Sequence, residues 1–549
     1  MPKVVITNAL VIFGLLSATP AFAKSIPLSE RFADIPNLGI ETPAFPPAAL
    51  SANRKDFTTD AESTQFIAKL AAQNPNLYWT SLGRTPGGRE LNMMIFTADG
   101  RFDPQDVANS RKPIVWIMGL QHGNEPAGGE AILDIARRLG TQGQGDLRSV
   151  LDKVTVVLLP RANPDGAAGF KRETTKGDLN RDHLSLGLPE NVLIHKAMRD
   201  YPPAVVVDAH EFTASGRWVD KYGTSQASDV LTQFASHPGV SDAVRRMGKE
   251  IFEPALTATF AQHQLRSYVY HTLNVNNTNA FVQMGGNFAG IARNTFGLYG
   301  AVSILLETRG VGIGRDHYQR RVGTHVLAMS AVLRTAAQND VALRSIARET
   351  RKTPTGEWIV DHGSKRETRS LPMFDPQSGE DKNVSVEFQN SNLVVNPVLR
   401  PVPAGYVLSP NTASDALRSL LAHGLRVNRV LANTECELDF YILNKIGQDA
   451  GEFGAPMEKW GVDMKRGKRT VEAGSFFVPM AQPNSRIAAA ALEPEGVGSF
   501  ASLRMLQDTA ILLGQELPLW RLPLLNVTSN NATNNNTSNE CVLVGPALH

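Results

Sequence analysis

Four apolar runs, at residues 113–118, 154–159, 205–207 and 302–306, constrain this chain most, because each is closely followed by polar residues suited to binding or catalysis. Apolar residues at helical spacing follow the first run, at 128–139, and the last, at 317–337. Short apolar runs alternating with helices read as a mostly parallel sheet covered on both faces. Such sheets bind ligands at the carboxyl ends of their strands. The polar residues stand at those ends: His122 and Glu125, Asn163 and Asp165, His210, and Glu307. A lone polar residue after a strand is an ordinary turn. Four strands ending this way point to one shared site.

The residue types suggest metal chemistry. His122 and Glu125 lie three apart in a strand-to-helix turn, 119–126, so an imidazole and a carboxylate can grip one cation. Zinc accepts both ligand types. A polar turn capping a helix explains the pair equally simply, so a third ligand is needed. His210 supplies one: two ligands close in sequence and one distant is the pattern of catalytic zinc sites. Asp208 and Glu211 flank it, and either could orient its ring. Glu307 ends a strand too apolar to carry a charge without reason, which suits a general base. The plain alternative is a strand-end carboxylate paired with Arg309. Arg172 and Arg181 lie in a basic, loop-rich segment. A guanidinium can stabilise an oxyanion, and a second one beside an amide, here Asn180, can hold a carboxylate.

Together these motifs resemble the zinc carboxypeptidases, the metallopeptidase family typified by carboxypeptidase A. The resemblance covers about 62–337 and rests on His122-x-x-Glu125 with His210, Arg172 after Asn163-Pro164-Asp165-Gly166, Asp178-Leu179-Asn180-Arg181, and Leu306-Glu307-Thr308-Arg309. It implies an eight-stranded mixed, mostly parallel sheet with helices on both faces. It implies one Zn2+ per chain on His122, Glu125 and His210, with Glu307 as base and Arg172 as oxyanion stabiliser. Asn180 and Arg181 would hold the substrate's terminal carboxylate. The expected reaction removes C-terminal residues from peptides by attack of water activated at the zinc and assisted by the glutamate.

Two positions depart from the family. Where a mobile tyrosine caps the substrate, the Gly285-Gly286 landmark puts Phe281; Tyr268 and Tyr270 lie upstream and Tyr299 close to the strand. The pocket for the terminal side chain falls on Arg293 by one count and on Phe288 by another, which favour acidic and apolar residues respectively. The short gap between Glu125 and His210 also resembles bacterial peptidoglycan-peptide amidases and N-acyl amino acid deacylases. A zinc amidase or deacylase is therefore the alternative enzyme, and a non-catalytic binding protein on the same fold a remote one.

The rest of the chain sets the context. Residues 1–23 read as a signal peptide with a small-x-small site at Ala21-Phe22-Ala23, so export to periplasm or medium is expected. No later stretch is apolar enough to anchor the mature chain in a membrane. A formal net charge of +2 with no basic run gives no reason to expect nucleic acid. The substrate is expected to be a peptide or peptidoglycan peptide with a free C-terminal carboxylate. Residues 24–60 read as an extended arm, 61–345 as the catalytic domain, 346–383 as a linker and 384–525 as a smaller β-rich domain. Its one helix is expected at 413–423, with Thr412 as cap and Gly424 as stop. The tail, 526–549, reads as disordered. Its sequons at Asn526, Asn531, Asn535 and Asn536 fit glycosylation or chance in an Asn-rich tract. Cys436 and Cys541 form either a disulfide or two free thiols.

Overall fold

The computed structural model describes residues 31–36, 38, 47–51, 53–141, 146–274, 281–449, 457–507, 510–524, 541, 543 and 545–548. The expected signal segment, 1–23, and the Asn-rich stretch, 526–540, lie outside the described residues. Among the described residues no helix is long and apolar enough to cross a membrane.

An eight-stranded mixed sheet organises the first half of the chain. From edge to edge its strands are Leu77–Arg84, Glu90–Phe96, Thr155–Leu159, Ile114–Gly119, Pro203–Thr213, Val302–Val311, Val230–Phe234 and Ser267–Val269. The four central strands, including all four apolar runs, are parallel to one another. Alternate side chains feed two cores, as strand geometry requires. Val115, Ile117, Val205, Val207, Ile304 and Leu306 face the helices Pro126–Gly140 and Tyr318–Gln338. Trp116, Met118, Val157 and Val206 face the helices Pro189–Asp200 and Ala292–Leu298. Burial on both faces explains why these strands read as continuous apolar runs rather than alternating ones.

The expected linker is not one. Glu357–Phe374 and Asp381–Pro401 pair as a long antiparallel ribbon. Its base joins Ser225–Gln226, Val282–Gln283 and Thr272–Leu273 in a second, five-stranded sheet. Leu371, Met373, Val386 and Phe388 pack there on Trp218 and Leu273. The charged outer faces of the ribbon are exposed, which is why composition alone reads as a connector.

A six-stranded antiparallel sheet follows, in the order Asn428–Arg429, Phe476–Pro479, Gly405–Leu408, Glu516–Leu522, Thr434–Asp449 and Met457–Val471. Its first helix is Ser414–Ala422; Thr412 donates to the Ser409 carbonyl instead of capping it, while Gly424 ends it at φ +75°. Cys436 and Cys541 are joined in a disulfide.

The described part of the N-terminal arm is not a loose cover. Ile35, Leu38, Ala49 and Leu50 are buried in the main core. Ala49 N and Thr58 Oγ1 both donate to Glu130 Oε1, at 3.1 and 2.8 Å. Burial pushes the Glu130 carboxyl up to about 7, against the lowering effect of those hydrogen bonds. A carboxyl raised in the folded state favours folding below its unfolded pKa and loses that contribution as pH rises through 7. Glu130→Gln keeps the acceptor without the charge. It should stabilise the protein at pH 8 by up to about 3 kcal/mol, with the gain shrinking toward pH 5. Thermal melts of both proteins at the two pH values check this; parallel pH dependence would contradict it.

Candidate metal centre and active-site cavity

The buried strand Ile114–Gly119 delivers the chain to a turn in which Leu120 adopts φ +54°. Gly123 then passes so close to the next loop that a Cβ would lie 2.1 Å from the Gly166 carbonyl carbon. Gly123 N donates to Arg172 O at 3.2 Å, fixing the two loops together. Glu125 is the N-cap of the helix Pro126–Gly140, yet its side chain makes no capping bond. Pro126 at the first helical position has no N–H to cap. The carboxylate turns instead toward two histidines.

Glu125 Oε1 lies 2.8 Å from His122 Nδ1, Glu125 Oε2 lies 2.8 Å from His210 Nδ1, and the two Nδ1 atoms are 3.0 Å apart. All three residues are buried. Burial alone would neutralise His210, but the carboxylates of Asp208 and Glu125 outweigh it and hold its pKa well above the usual value. Burial would raise Glu125; the His122 and His210 charges reverse that and hold it far below the carboxylate range. Positive charge between the donors would offset the repulsion of their facing lone pairs. Two imidazole nitrogens facing each other can share one proton, whereas a zinc ion in its place would use all three donors, in a ligand set that zinc accepts.

The sheet sorts the neighbours of His210. Asp208 and His210 point to the same face, and Asp208 Oδ1 lies 2.9 Å from His210 Nε2, the nitrogen turned away from Glu125. Glu211 points to the opposite face, where Glu211 Oε2 accepts from Ala127 N at 3.0 Å and Glu211 Oε1 from Arg321 Nε at 2.7 Å. Its own backbone N donates to Glu125 Oε2 at 3.1 Å. Asp178 Oδ1 lies 3.3 Å from His122 Nε2, and Asp178 Oδ2 accepts from Arg172 Nη2 at 3.0 Å.

Glu307 is the register partner of His210 on the adjacent parallel strand. Burial pushes its carboxyl well above the ordinary range; His210 opposes this and Glu125 adds to it. Arg309, the alternative partner, instead stacks on the Phe32 ring at 3.6 Å. A cavity of about 300 Å3 opens over the cluster, lined among others by Glu307, Arg172, Asn180, Arg181, Arg293 and Tyr270.

Residues 63–192 match the zinc carboxypeptidase family, Peptidase_M14. The chain carries a zinc carboxypeptidase domain. It is thereby a hydrolase of the metallocarboxypeptidase class. Curated relatives include Carboxypeptidase 2 of Trichophyton rubrum, 27% identical over 508 residues that span 90% of this chain and 93% of the relative. Carboxypeptidase 2 of Trichophyton equinum is 26% identical over the same shares. Among solved structures, a metallo-carboxypeptidase from Burkholderia cenocepacia is 18% identical, with a TM-score of 0.39, covering 51% of this chain and 69% of that one.

His122, Glu125, His210, Glu307, Arg172, Asn180, Arg181 and Arg293 all border one cavity or the cluster beneath it. Phe281 does not line it; its ring lies against the Arg366 guanidinium on the ribbon, 4.3 Å from the centroid. Phe288 packs against Gly290 and Gly498, outside the lining. Asn163 and Asp165 stand behind the site. Asn163 Nδ2 donates to Gln121 O and Arg172 O, and Asp165 accepts from Gly87 N and Arg89. Sequence reasoning passed over Arg217 and Trp218, which line the cavity from a short helix and follow no spacing rule.

Gly310 marks a packing limit behind the cluster: a Cβ there would lie 1.9 Å from Glu211 Oε1. Gly310→Ala should therefore disturb the Glu211 bonds and cost about 1–3 kcal/mol. A fall in Tm measures it, and an unchanged Tm would show that the strand end can yield.

Proposed function

We propose that the protein is an exported zinc metallocarboxypeptidase that holds one Zn2+ per chain on His122, Glu125 and His210. The observation that supports this most is the convergence of three mutually facing donors, a buried strand-borne glutamate and four arginines on one cavity. The substrate is a peptide with a free C-terminal carboxylate, received by Arg181 with Asn180 beside it. Bound zinc would polarise the scissile carbonyl and lower the pKa of water. Glu307 takes the proton from the attacking water on its carboxylate and passes it to the leaving amine. Arg172, held by Asp178, supplies positive charge where the carbonyl oxygen becomes negative. Tyr270, not Phe281, faces the cavity as the capping aromatic group.

Arg293 gives the pocket its preference. It is 1% exposed, lines the cavity and donates to Gly286 O at 2.7 Å. A buried guanidinium in the pocket favours an acidic terminal side chain, and Phe288 is not there to favour an apolar one. Export is supported by the signal-like N-terminus and by the Cys436–Cys541 disulfide, which persists in oxidising compartments.

Glu307→Gln should lower kcat by about 10²–10⁴-fold while metal analysis still finds zinc. Retained turnover would remove Glu307 from the base role. A chelator should stop hydrolysis of wild type, and added zinc should restore it. Peptides ending in Glu should be cleaved and their C-terminal amides spared. Arg293→Gln should reduce the preference for Glu over Leu by about 10–100-fold in kcat/KM. An unchanged ratio would assign the preference elsewhere in the cavity.

A further inference from the structure

Behind the metal-facing cluster, a continuous line of polar side chains leaves the cavity and ends in the C-terminal β domain. His210 Nε2 is 2.9 Å from Asp208 Oδ1, and Gln121 Nε2 donates to the same oxygen at 2.7 Å. Gln121 Oε1 is 2.7 Å from His183 Nε2, and His183 Nδ1 is 3.0 Å from His195 Nε2. His195 Nδ1 is 2.9 Å from Tyr299 Oη, which is 2.5 Å from His423 Nδ1. His423 follows the helix Ser414–Ala422, and its Nε2 lies 2.8 Å from Leu184 O. Tyr299 is half-buried and the other six side chains are buried.

The order of hydrogens along this line can be worked out from its ends. If His210 Nδ1 is to face a cation, the ring hydrogen must sit on Nε2 and be donated to Asp208. Asp208, as a carboxylate, accepts from Gln121, so Gln121 presents its oxygen to His183. His183 Nε2 must then donate and its Nδ1 accept, which makes His195 Nε2 a donor and His195 Nδ1 an acceptor. The hydroxyl of Tyr299 completes that order by donating to His195. At the far end, the Leu184 carbonyl demands the hydrogen of His423 Nε2, which leaves His423 Nδ1 also facing Tyr299 as an acceptor. Burial pushes His183 and His423 down to about 4, so neither ring carries a spare proton near neutrality. One tyrosine hydrogen therefore has two claimants, and Tyr299 is where the metal side and the C-terminal domain meet.

We propose that Tyr299 is a positioning residue for His210, setting through His195, His183 and Gln121 the hydrogen order that leaves His210 Nδ1 available to zinc, and that His423 tunes it by competing for the tyrosine hydrogen. Metal retention in the catalytic domain then depends on a side chain that the second domain contributes. This rests on His210 ligating zinc. Groups that directly support a metal-ligating histidine typically change metal affinity by about 10–100-fold when removed, so a more distant member should change it less.

The test is zinc affinity, measured by competition with a chromophoric chelator at neutral pH on the full chain. Tyr299→Phe deletes one oxygen and should weaken zinc binding by about 3–10-fold. His423→Ala removes the competing acceptor and should leave zinc binding as tight or tighter; a loss as large as that of Tyr299→Phe would overturn the competition. In an Asp208→Asn background, where the line is cut beside the ligand, Tyr299→Phe should add no further loss. A purely structural role would give the same loss in both backgrounds, and additive losses overturn the proposal. So does an unaltered zinc affinity in Tyr299→Phe when His210→Ala loses zinc as expected. If His210→Ala leaves affinity unchanged, the metal assignment itself fails instead. If His423→Ala does not fold, Tyr299→Phe and the cycle with Asp208→Asn still decide.

Discussion

Two imidazole nitrogens and a carboxylate that face one another across about 3 Å, all buried, do not assemble by their own attraction. Desolvation works against each of them, and the two rings oppose each other unless a positive charge lies between. The rest of the catalytic domain can be understood as the scaffold that imposes this proximity. His122 and Glu125 are delivered by one strand and a turn too tight for any side chain at Gly123. His210 arrives on the neighbouring strand, and Glu307 on the next. The sheet ladder fixes all these separations before any metal is considered, which is the preorganisation that a metal site needs.

The pleat adds a second level of control. Residues 208, 210 and 211 are adjacent in sequence but divide between two faces. Asp208 stays with His210 and meets its outer nitrogen, while Glu211 goes through the sheet to brace the first turn of Pro126–Gly140 and Arg321. The helix that begins at Glu125 is thereby tied to the strand that carries His210, so the two halves of the cluster cannot drift independently. Four polar groups packed this densely in an interior are tolerable because nearly every donor meets an acceptor.

Much of this was legible in the sequence, for a definite physical reason. Strands buried on both faces leave unbroken apolar runs, so their ends, and the polar residues placed there, stand out. The strand Pro203–Thr213 reads in sequence as only three residues because the apolar pattern stops at Asp208, although the ladder runs on through buried polar residues that the cluster satisfies. The first strand of the ribbon, Glu357–Phe374, reads as a connector because its stability comes from backbone pairing and its outer face is charged. Counting along the chain does not decide between Arg293 and Phe288, or between Phe281 and Tyr270. Those positions are set by where loops cross the sheet: Tyr270 is hung from the edge of the sheet by a bond from its N–H to Thr232 O. The relay through Tyr299 was invisible because its seven members are scattered from 121 to 423 and share no spacing.

The second sheet has a consequence for how this molecule comes into being. All the metal-facing donors and Glu307 lie before residue 308, whereas the strand that anchors Val282 and Gln283 against the cavity wall is Asp381–Pro401, and His423 lies later still. A ribosome releases them in that order. The chemistry-bearing side chains emerge first and the strand that completes the wall beside them emerges last, about eighty residues later.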